Sequence, residues 1–165
     1  AFNSAGTIRD TLECIRTQDY PAVEHIIIDG VSTDNTLDIV REYAHVSAVI
    51  SEPDRGLYDA MNKGLQQTTG DIVGILNSDD YYTHPQVLSR VAALLGQTGA
   101  DALYADMEYV DARDTSRVVR TWKAGLLRPD SFQNGWMPPH PTFFVRRHLY
   151  ERFGCFNPNL RFSAD

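Results

Sequence analysis

The sequence is short of cysteine, of basic residues and of long apolar runs, and each shortage excludes a class of protein. The two cysteines among the 165 residues, Cys14 and Cys155, fit no Cys-x-x-Cys or Cys/His spacing, so neither a disulfide framework nor a zinc site is expected. Fifteen basic against 22 acidic residues give a formal net charge of -7, which argues against nucleic acid as a partner. No apolar run approaches the roughly 18 residues of a transmembrane segment, and no signal peptide is visible.

Length and cysteine usage predict one domain, residues 1–165, in a reducing compartment. A chain of this size buries roughly two-thirds of its unfolded surface and needs no disulfide for stability. We expect a cytoplasmic protein, with peripheral association at the inner face of the membrane left open. Because the chain begins with Ala-Phe-Asn rather than methionine, we also expect that an upstream segment has been removed.

Helical and strand-like patterns alternate up to about residue 99. Apolar strand runs occupy 24–29, 48–50 and 71–76, and helical spacing covers 8–18, 36–44, 57–65 and 87–95, the last of these after a capping-box spacing at 83–86. This alternation predicts parallel strands with right-handed crossovers, and hence a nucleotide-binding half at 1–99. Residues 1–6 are typical of a loop that leaves a strand, so we expect a central strand before Phe2.

The pattern changes in the second half, residues 100–165. Strand-like runs at 102–110 and 117–122, joined by the polar turn 111–114, predict an antiparallel hairpin. Residues 126–139 are rich in glycine and proline around Phe132 and Trp136, which is typical of a functional loop or lid. A strand at 142–145 and a helix at 146–153 follow. We interpret this part as an acceptor-side half that is incomplete at its end.

Two carboxylates stand where predicted strands end. Asp29 closes the run Ile26-Ile27-Ile28, and Asp79 follows the buried run 72–76 through Asn77 and Ser78. In a doubly wound sheet the carboxyl ends of the strands border the ligand crevice, so both acids are candidates for a nucleotide site. The alternative for each is a polar turn that approaches or caps a helix.

The residue types suggest different tasks for the two acids. A diphosphate bound to an acidic protein needs its charge neutralised, and Asp79, with Asn77 or Asp80 nearby, offers the hard oxygen ligands that Mg²⁺ or Mn²⁺ prefers. Asp29 can accept the ring N–H of a base such as uracil, because a carboxylate is an acceptor only. We therefore predict a divalent cation at Asp79 and base recognition at Asp29.

Four ordered motifs make the chain resemble family 2 glycosyltransferases of the GT-A fold. They are Phe2-Asn3, then I-I-I-D-G-V-S-T-D-N-T (26–36), S-E-P-D-R-G-L-Y-D-A-M-N-K-G (51–64) and T-G-D-I-V-G-I-L-N-S-D-D (69–80). The resemblance implies a Rossmann-like three-layer α/β/α sandwich with a mostly parallel central sheet and an antiparallel acceptor-side hairpin. It also implies transfer of a sugar, with inversion, from a nucleotide diphosphate donor, expected to be a UDP-sugar, to a saccharide or lipid-linked acceptor in polysaccharide or glycoconjugate biosynthesis.

The same resemblance assigns roles to individual positions. The family's D-x-D metal motif falls on Asn77-Ser78-Asp79, so its first acid is an amide here and Asp79 inherits the cation. The catalytic base falls on Asp165. The nucleotide-binding positions are Phe2, Asn3, Asp29, Gly30, Ser32, Asp59, Lys63, Asn77 and Ser78. Where relatives often carry an arginine toward the diphosphate this chain has Met61, so that contact is lost or passed to Lys63 or Arg55, unless these two only form a solvated helix face.

His140, between two prolines, is a candidate for contact with the acceptor or the leaving phosphate, and a structural turn residue is the alternative. Two rival functions remain at this point. A sugar-nucleotide pyrophosphorylase would need a glycine-rich basic loop, whereas residues 3–7 hold one glycine and no lysine. The other rival is a module that binds nucleotide sugars without catalysis. A dinucleotide enzyme is disfavoured because no G-x-G-x-x-G follows a strand.

Overall fold

The structure, a computed structural model, describes residues 1–160 and consists of mixed helices and strands. The helices are α1 Ile8–Arg16, α2 Thr36–Arg41, α3 Leu57–Gln67, α4 Val87–Thr98 and α5 Arg147–Phe153. The strands are β1 His25–Asp29, β2 Val46–Ser51, β3 Ile72–Gly74, β4 Ala102–Leu103, β5 Met107–Val110, β6 Val118–Trp122 and β7 Phe144–Arg146. Short 3₁₀ turns cover Phe132–Asn134 and His140–Thr142. The alternation predicted for the first half is therefore confirmed.

The strands form three small sheets. β1 pairs with β2 in parallel, with Asp29 opposite Ser51. β7 lies between β3 and β4 and is antiparallel to both, so β3 and β4 point in the same direction. β5 and β6 form the predicted antiparallel hairpin, with Tyr109 opposite Arg120. The α/β class is thus confirmed, and the antiparallel β7 makes the sheet more mixed than the predicted mostly parallel one.

Three local predictions need correction. The single strand predicted over 102–110 is interrupted at residues 104–106, because β4 pairs with β7 whereas β5 turns away to pair with β6. The capping box predicted at 83–86 does not form, since α4 begins at Val87 after Gln86 and has no side-chain cap. The strand predicted over 71–76 is limited to Ile72–Gly74, the part of that run that pairs with β7.

Two apolar clusters hold in place the two strands whose carboxyl ends border the candidate site. The first packs α1 and α2 against β1 through buried Ile8, Leu12, Ile27 and Val40. The second packs α4 against β7 through Val91, Leu95 and Phe144, with Ile72 of β3 beside them. Each cluster positions one strand end at which the sequence predicts a functional acid, β1 with Asp29 and β3 with the segment 77–80.

A large cavity separates the two strands that end in these acids. It has a volume of about 1170 Å³ and is lined by both strands and the helices beside them, including Ile27, Val73, Met61 and Leu65. Among residues 1–160, no hydrogen bonds join β1 to β3. Ala1 lies next to β1, where its amino group donates to the Ile28 carbonyl (2.5 Å) and its carbonyl accepts from the Gly30 amide (2.9 Å). The central strand expected before Phe2 stays a prediction.

Candidate functional site

Three loops converge at the carboxyl ends of β1 and β3 and are joined by hydrogen bonds. Ser4 joins the loop before α1 to the segment that follows β3, because its hydroxyl lies 2.8 Å from that of Ser78. The same loop is tied to the segment after β1, because the Ser4 amide donates to Thr36 Oγ1 (2.7 Å) and the Asn3 amide to Ser32 Oγ (2.8 Å). Predicted nucleotide-binding residues from distant parts of the sequence therefore form one crevice.

Asp29 is completely buried at 0% exposure, and its carboxylate is already occupied. Its Oδ1 accepts from Ser32 Oγ (2.5 Å), and its Oδ2 accepts from the Ser32 amide (3.0 Å) and from Ser51 Oγ (2.7 Å). Burial alone would raise the pKa of Asp29, but these hydrogen bonds and the nearby Ala1 amino group bring it below its usual value. The carboxylate therefore holds the ends of β1 and β2 together as an anion, and in this position it does not reach a ligand.

Gly30, the next residue, lies against a carboxylate that is accessible. A Cβ added at Gly30 would lie 2.5 Å from Asp54 Oδ2 and 3.5 Å from Cδ2 of Phe2. Only glycine allows Asp54 and the Phe2 ring to approach the end of β1 this closely. Phe2 is 62% exposed, and Asp54 is partly exposed.

The end of β3 presents the acids predicted to hold a metal. Asp79 is exposed. Asp80 is half-buried, and its carboxylate accepts a hydrogen bond from the side-chain amide of Asn77 (2.9 Å). Burial raises the pKa of Asp80, because the Asn77 hydrogen bond only partly offsets the loss of solvation. Within the described part of the chain, no group of three or more His, Cys, Asp or Glu side chains is arranged to hold a metal ion. Asp79 is thus the carboxylate that faces outward.

Charged residues of α3 and of the segment just before it form ion pairs and hydrogen bonds with one another. Asp59 accepts from the Arg55 amide (3.1 Å) and from its guanidinium (2.9 Å). Lys63 donates to the Pro53 carbonyl (2.6 Å) and pairs with Glu52 (3.0 Å), which raises the pKa of Lys63. The structure thus places Lys63, Asp59 and Arg55 in a network at the start of α3, and their contact with a nucleotide stays a prediction.

Met61, at the position where relatives often carry an arginine, is 7% exposed and lines the cavity between β1 and β3. It therefore contributes apolar packing rather than a charge toward a diphosphate.

His140 lies near the end of β3, although it comes from the second half of the chain. It is partly buried in a 3₁₀ turn, and its charge, when present, would stabilise the Asp80 carboxylate. Its ring meets the Phe156 ring edge-on, with centroids 6.2 Å apart, and Phe156 is held in turn by two hydrogen bonds to Asn62. The predicted acceptor residue is thus close enough to Asp80 for its charge to act on that carboxylate, and its contact with an acceptor stays a prediction. The predicted base, Asp165, lies outside the described residues.

Sequence reasoning missed four residues that shape the site. Ser4, Ser51, Asp54 and Thr36 hold the loops or face the crevice. Ser51 could have been found, because it ends the strand beside β1 and so lies opposite Asp29 in a parallel pair. Asp54 lies within the motif 51–64, but its close approach to Gly30 becomes visible only in three dimensions.

The fold is that of the GT-A glycosyltransferases. The chain superimposes on S. aureus TarS in complex with UDP-GlcNAc with a TM-score of 0.76 and 24% identity, over 95% of this chain and 46% of that one. A mannosyltransferase from Pyrobaculum calidifontis, solved with GDP-Man and Mn²⁺, gives a TM-score of 0.72 at 24% identity, over 97% and 46% of the two chains. At this identity the likeness establishes the fold.

The family follows from the sequence comparison. The model of glycosyl transferase family 2 matches residues 1–155, so the chain belongs to that family. A PGL/p-HBAD biosynthesis glycosyltransferase of Mycobacterium bovis is 32% identical over 168 aligned residues, which cover 99% of this chain and 63% of that protein. The chain thus spans less than two-thirds of the length of this curated relative. In the described residues, no helix combines the length and apolarity needed to cross a membrane.

Proposed function

We propose that this chain provides the donor-binding core of an inverting glycosyltransferase that takes a sugar from a UDP-sugar. The observation that carries the proposal is the hydrogen bond between Ser4 and Ser78, which joins the loop before α1 to the end of β3. This bond brings the exposed Asp79 to the same crevice as Phe2 and Gly30. A nucleoside can lie on one side and a diphosphate on the other, as expected for ligands at the carboxyl ends of the strands of an α/β sheet.

The residues at the end of β3 fit a divalent cation that is shared with the donor. Mg²⁺ is usually held by one or two carboxylates together with substrate phosphates, and Mn²⁺ accepts the same oxygen ligands, so a complete protein cage is not required. Asp79 supplies an exposed carboxylate and Asn77 an amide oxygen. When bound, Mn²⁺ or Mg²⁺ would neutralise charge on the leaving diphosphate. GDP-Man with Mn²⁺ in the mannosyltransferase and UDP-GlcNAc in TarS support a nucleotide-sugar donor.

The transfer itself is proposed as a single displacement at the anomeric carbon. An acceptor hydroxyl attacks that carbon, the bond to the diphosphate breaks, and Asp165 takes the hydroxyl proton as general base. His140, whose charge would act on the Asp80 carboxylate, is proposed to position the acceptor. A saccharide or lipid-linked acceptor is proposed, and peripheral attachment at the cytoplasmic face of a membrane would suit the lipid-linked case. The division into a donor half, 1–99, and an acceptor half, 100–165, is part of the same proposal.

Donor hydrolysis in the absence of acceptor tests this proposal. The protein is incubated with a panel of nucleotide sugars and Mn²⁺, and the release of nucleoside diphosphate is followed with and without EDTA. We expect slow release of UDP from a UDP-sugar, lost on chelation. Absence of release, together with no nucleotide-dependent rise in thermal midpoint for any donor, would overturn the proposal. Binding without release would indicate a module without catalysis.

A further inference from the structure

We propose that Asp54, rather than Asp29, reads the base of the nucleotide, and that it selects uracil or thymine. The inference deepens the proposed function and rests on it. Asp29 has the acceptor oxygens that base recognition needs, but both already accept hydrogen bonds from Ser32 or Ser51, and the residue is 0% exposed. A base could reach Asp29 only by breaking bonds that hold the ends of β1 and β2 together.

Asp54 offers the same chemistry at an accessible place. Its Oδ1 accepts from the Gly56 amide (2.9 Å), which fixes the side chain within the turn before α3. Its Oδ2 points toward Gly30, as shown by the 2.5 Å separation from a Cβ added there. Because Gly30 has no side chain, Oδ2 lies over the backbone at the carboxyl end of β1, beside the Phe2 ring. One oxygen of the carboxylate is thus anchored and the other is presented to the crevice.

Phe2 supplies the apolar half of this site. Its ring is 62% exposed, although an aromatic side chain is ordinarily buried, and the edge of the ring lies near Gly30 and the carboxylate of Asp54. A base stacked on the ring would have its edge within reach of Oδ2. Stacking on an aromatic face is insensitive to base identity, with a worth of roughly 1–3 kcal/mol per base in single-stranded nucleic-acid complexes. Phe2 would therefore give affinity and Asp54 would give selectivity.

The carboxylate discriminates among the bases because it accepts hydrogen bonds and cannot donate them. Uracil and thymine carry a ring N–H on the edge they use for pairing, and Oδ2 can accept it. Cytosine and adenine have a ring nitrogen lone pair at the equivalent place, which a carboxylate repels. Guanine presents two adjacent N–H donors, and a carboxylate accepts both only when both of its oxygens face the base, whereas Oδ1 of Asp54 is turned toward the Gly56 amide.

Asp54→Asn, which replaces one carboxylate oxygen by an NH₂ group, is expected to reverse the preference for uracil over cytosine. In Asp54→Asn the single side-chain oxygen is needed by the Gly56 amide, so the NH₂ group takes the place of Oδ2. That group donates, which suits cytosine and opposes uracil. We expect a loss of UDP affinity of about 10- to 100-fold, the scale of one hydrogen bond to a charged group, and a gain of CDP relative to UDP. Asp38→Asn, an exposed acid on α2, serves as the matched control and should change neither.

Gly30 provides a second and independent test. Gly30→Ala is compatible with the backbone, because Gly30 is absent from the positive-φ glycines of the described chain, but its Cβ would displace Asp54 Oδ2. Gly30→Ala should thus weaken UDP binding about as much as Asp54→Ala. In the double variant the collision partner is gone, so the second substitution should cost little. Full additivity of the two effects would contradict contact through Asp54.

The measurement is calorimetric titration of the intact chain with UDP, CDP and GDP in the presence of Mn²⁺. UDP binding that Asp54→Asn and Asp54→Ala leave unchanged would overturn this inference while the proposed glycosyltransferase function stands. A preference of the wild-type chain for GDP would also overturn it. Failure of every nucleotide to bind would instead count against the proposed function itself. Circular dichroism of each variant separates loss of recognition from loss of folding.

Discussion

The acids at the carboxyl ends of the strands occupy very different environments, although they look alike in the sequence. Asp29 is fully buried and accepts three hydrogen bonds, Asp80 is half-buried beside Asn77, and Asp79 faces outward. Burial with full hydrogen bonding gives a structural anion, whereas exposure leaves the carboxylate available to a ligand. The function of each acid is therefore decided by its solvation rather than by its residue type.

Asp79 is predicted to make nucleotide binding depend on a divalent cation. The chain carries a net charge of -7, so it has no general attraction for a diphosphate, and the cation would provide the attraction locally. We expect Asp79→Ala to abolish the gain in UDP affinity that Mn²⁺ gives the wild type, as measured by titration with and without EDTA. Asp114→Ala, in the exposed turn of the hairpin, is the control. An undiminished response to Mn²⁺ in Asp79→Ala would place the metal elsewhere.

Asp29 is predicted to contribute more to stability than to base selection. Asp29→Ala removes the acceptor of three hydrogen bonds and leaves the partly buried Ser32 amide without this acceptor. We expect the free energy of unfolding to fall by about 2–3 kcal/mol, measured by urea denaturation at pH 7. The ratio of UDP to CDP affinity should change little under conditions where the variant is folded. A stable variant that no longer distinguishes UDP from CDP would return the base contact to Asp29.

Hydrogen bonds between side chains and backbone hold α1, α2 and the loops around them, whereas neither helix has a side-chain hydrogen bond from its N-cap residue. Asp34 shows this: its carboxylate accepts from the Ala5 amide (3.0 Å) and from the Thr36 amide (3.0 Å). One side chain thus joins the loop before α1 to the first turn of α2. Residues near the donor crevice are positioned by these local bonds, which explains why the loops keep a defined shape without regular structure.

A histidine pair at the opposite end of the β1–β2 sheet links its stability to pH. His25 Nδ1 lies 3.1 Å from His45 Nε2, and the rings are stacked with centroids 5.2 Å apart. Burial, together with the charge of His45, lowers the pKa of His25 to about 4. The unfolded chain, with an ordinary pKa of 6.5, binds a proton between these values that the folded chain excludes. His45 in turn faces Arg16 and Glu13 of α1.

The sign of this effect gives a prediction. The contribution of His25 to the free energy of unfolding is fully present above about pH 6.5. It is lost as pH falls toward 4, and it amounts to at most about 3 kcal/mol. Urea denaturation from pH 7 to pH 4 should show this loss in the wild type and a shallower loss in His25→Gln. His148→Gln, whose side chain is 57% exposed, should retain the wild-type slope. Equal slopes in His25→Gln and the wild type would contradict the assignment.

For the whole molecule, the dominant feature is the apolar cavity of about 1170 Å³ between β1 and β3. Two strands whose ends carry the candidate site face one another across it without pairing in the described residues. Unpaired backbone groups and uncovered apolar side chains both lower stability. Ala1 already follows the ladder of β1, so a strand that continued from it in the upstream direction would enter the cavity between the two sheets.

Extending the chain before Ala1 is therefore predicted to stabilise it. An added strand of roughly ten residues with apolar, β-branched side chains would pair with β1 and β3 and fill the cavity. We expect a higher thermal midpoint and tighter nucleotide binding, because the strand would fix the loop that carries Phe2 and Asn3. An extension of equal length made of glycine and serine is the control. Equal midpoints for the two extensions would show that the cavity does not accept a strand.

The α/β alternation, the hairpin after residue 99 and the strand ends that border the crevice could be predicted from the sequence, because they follow from local periodicity and turn chemistry. Which acids are buried and which are accessible could be seen only in the folded chain. Asp29 and Asp54 are both acids near strand ends. Asp29 is buried and accepts hydrogen bonds from Ser32 and Ser51, whereas Gly30 leaves room for the side chain of Asp54. Burial, pairing and close approach depend on residues distant in the chain, so a local pattern cannot specify them.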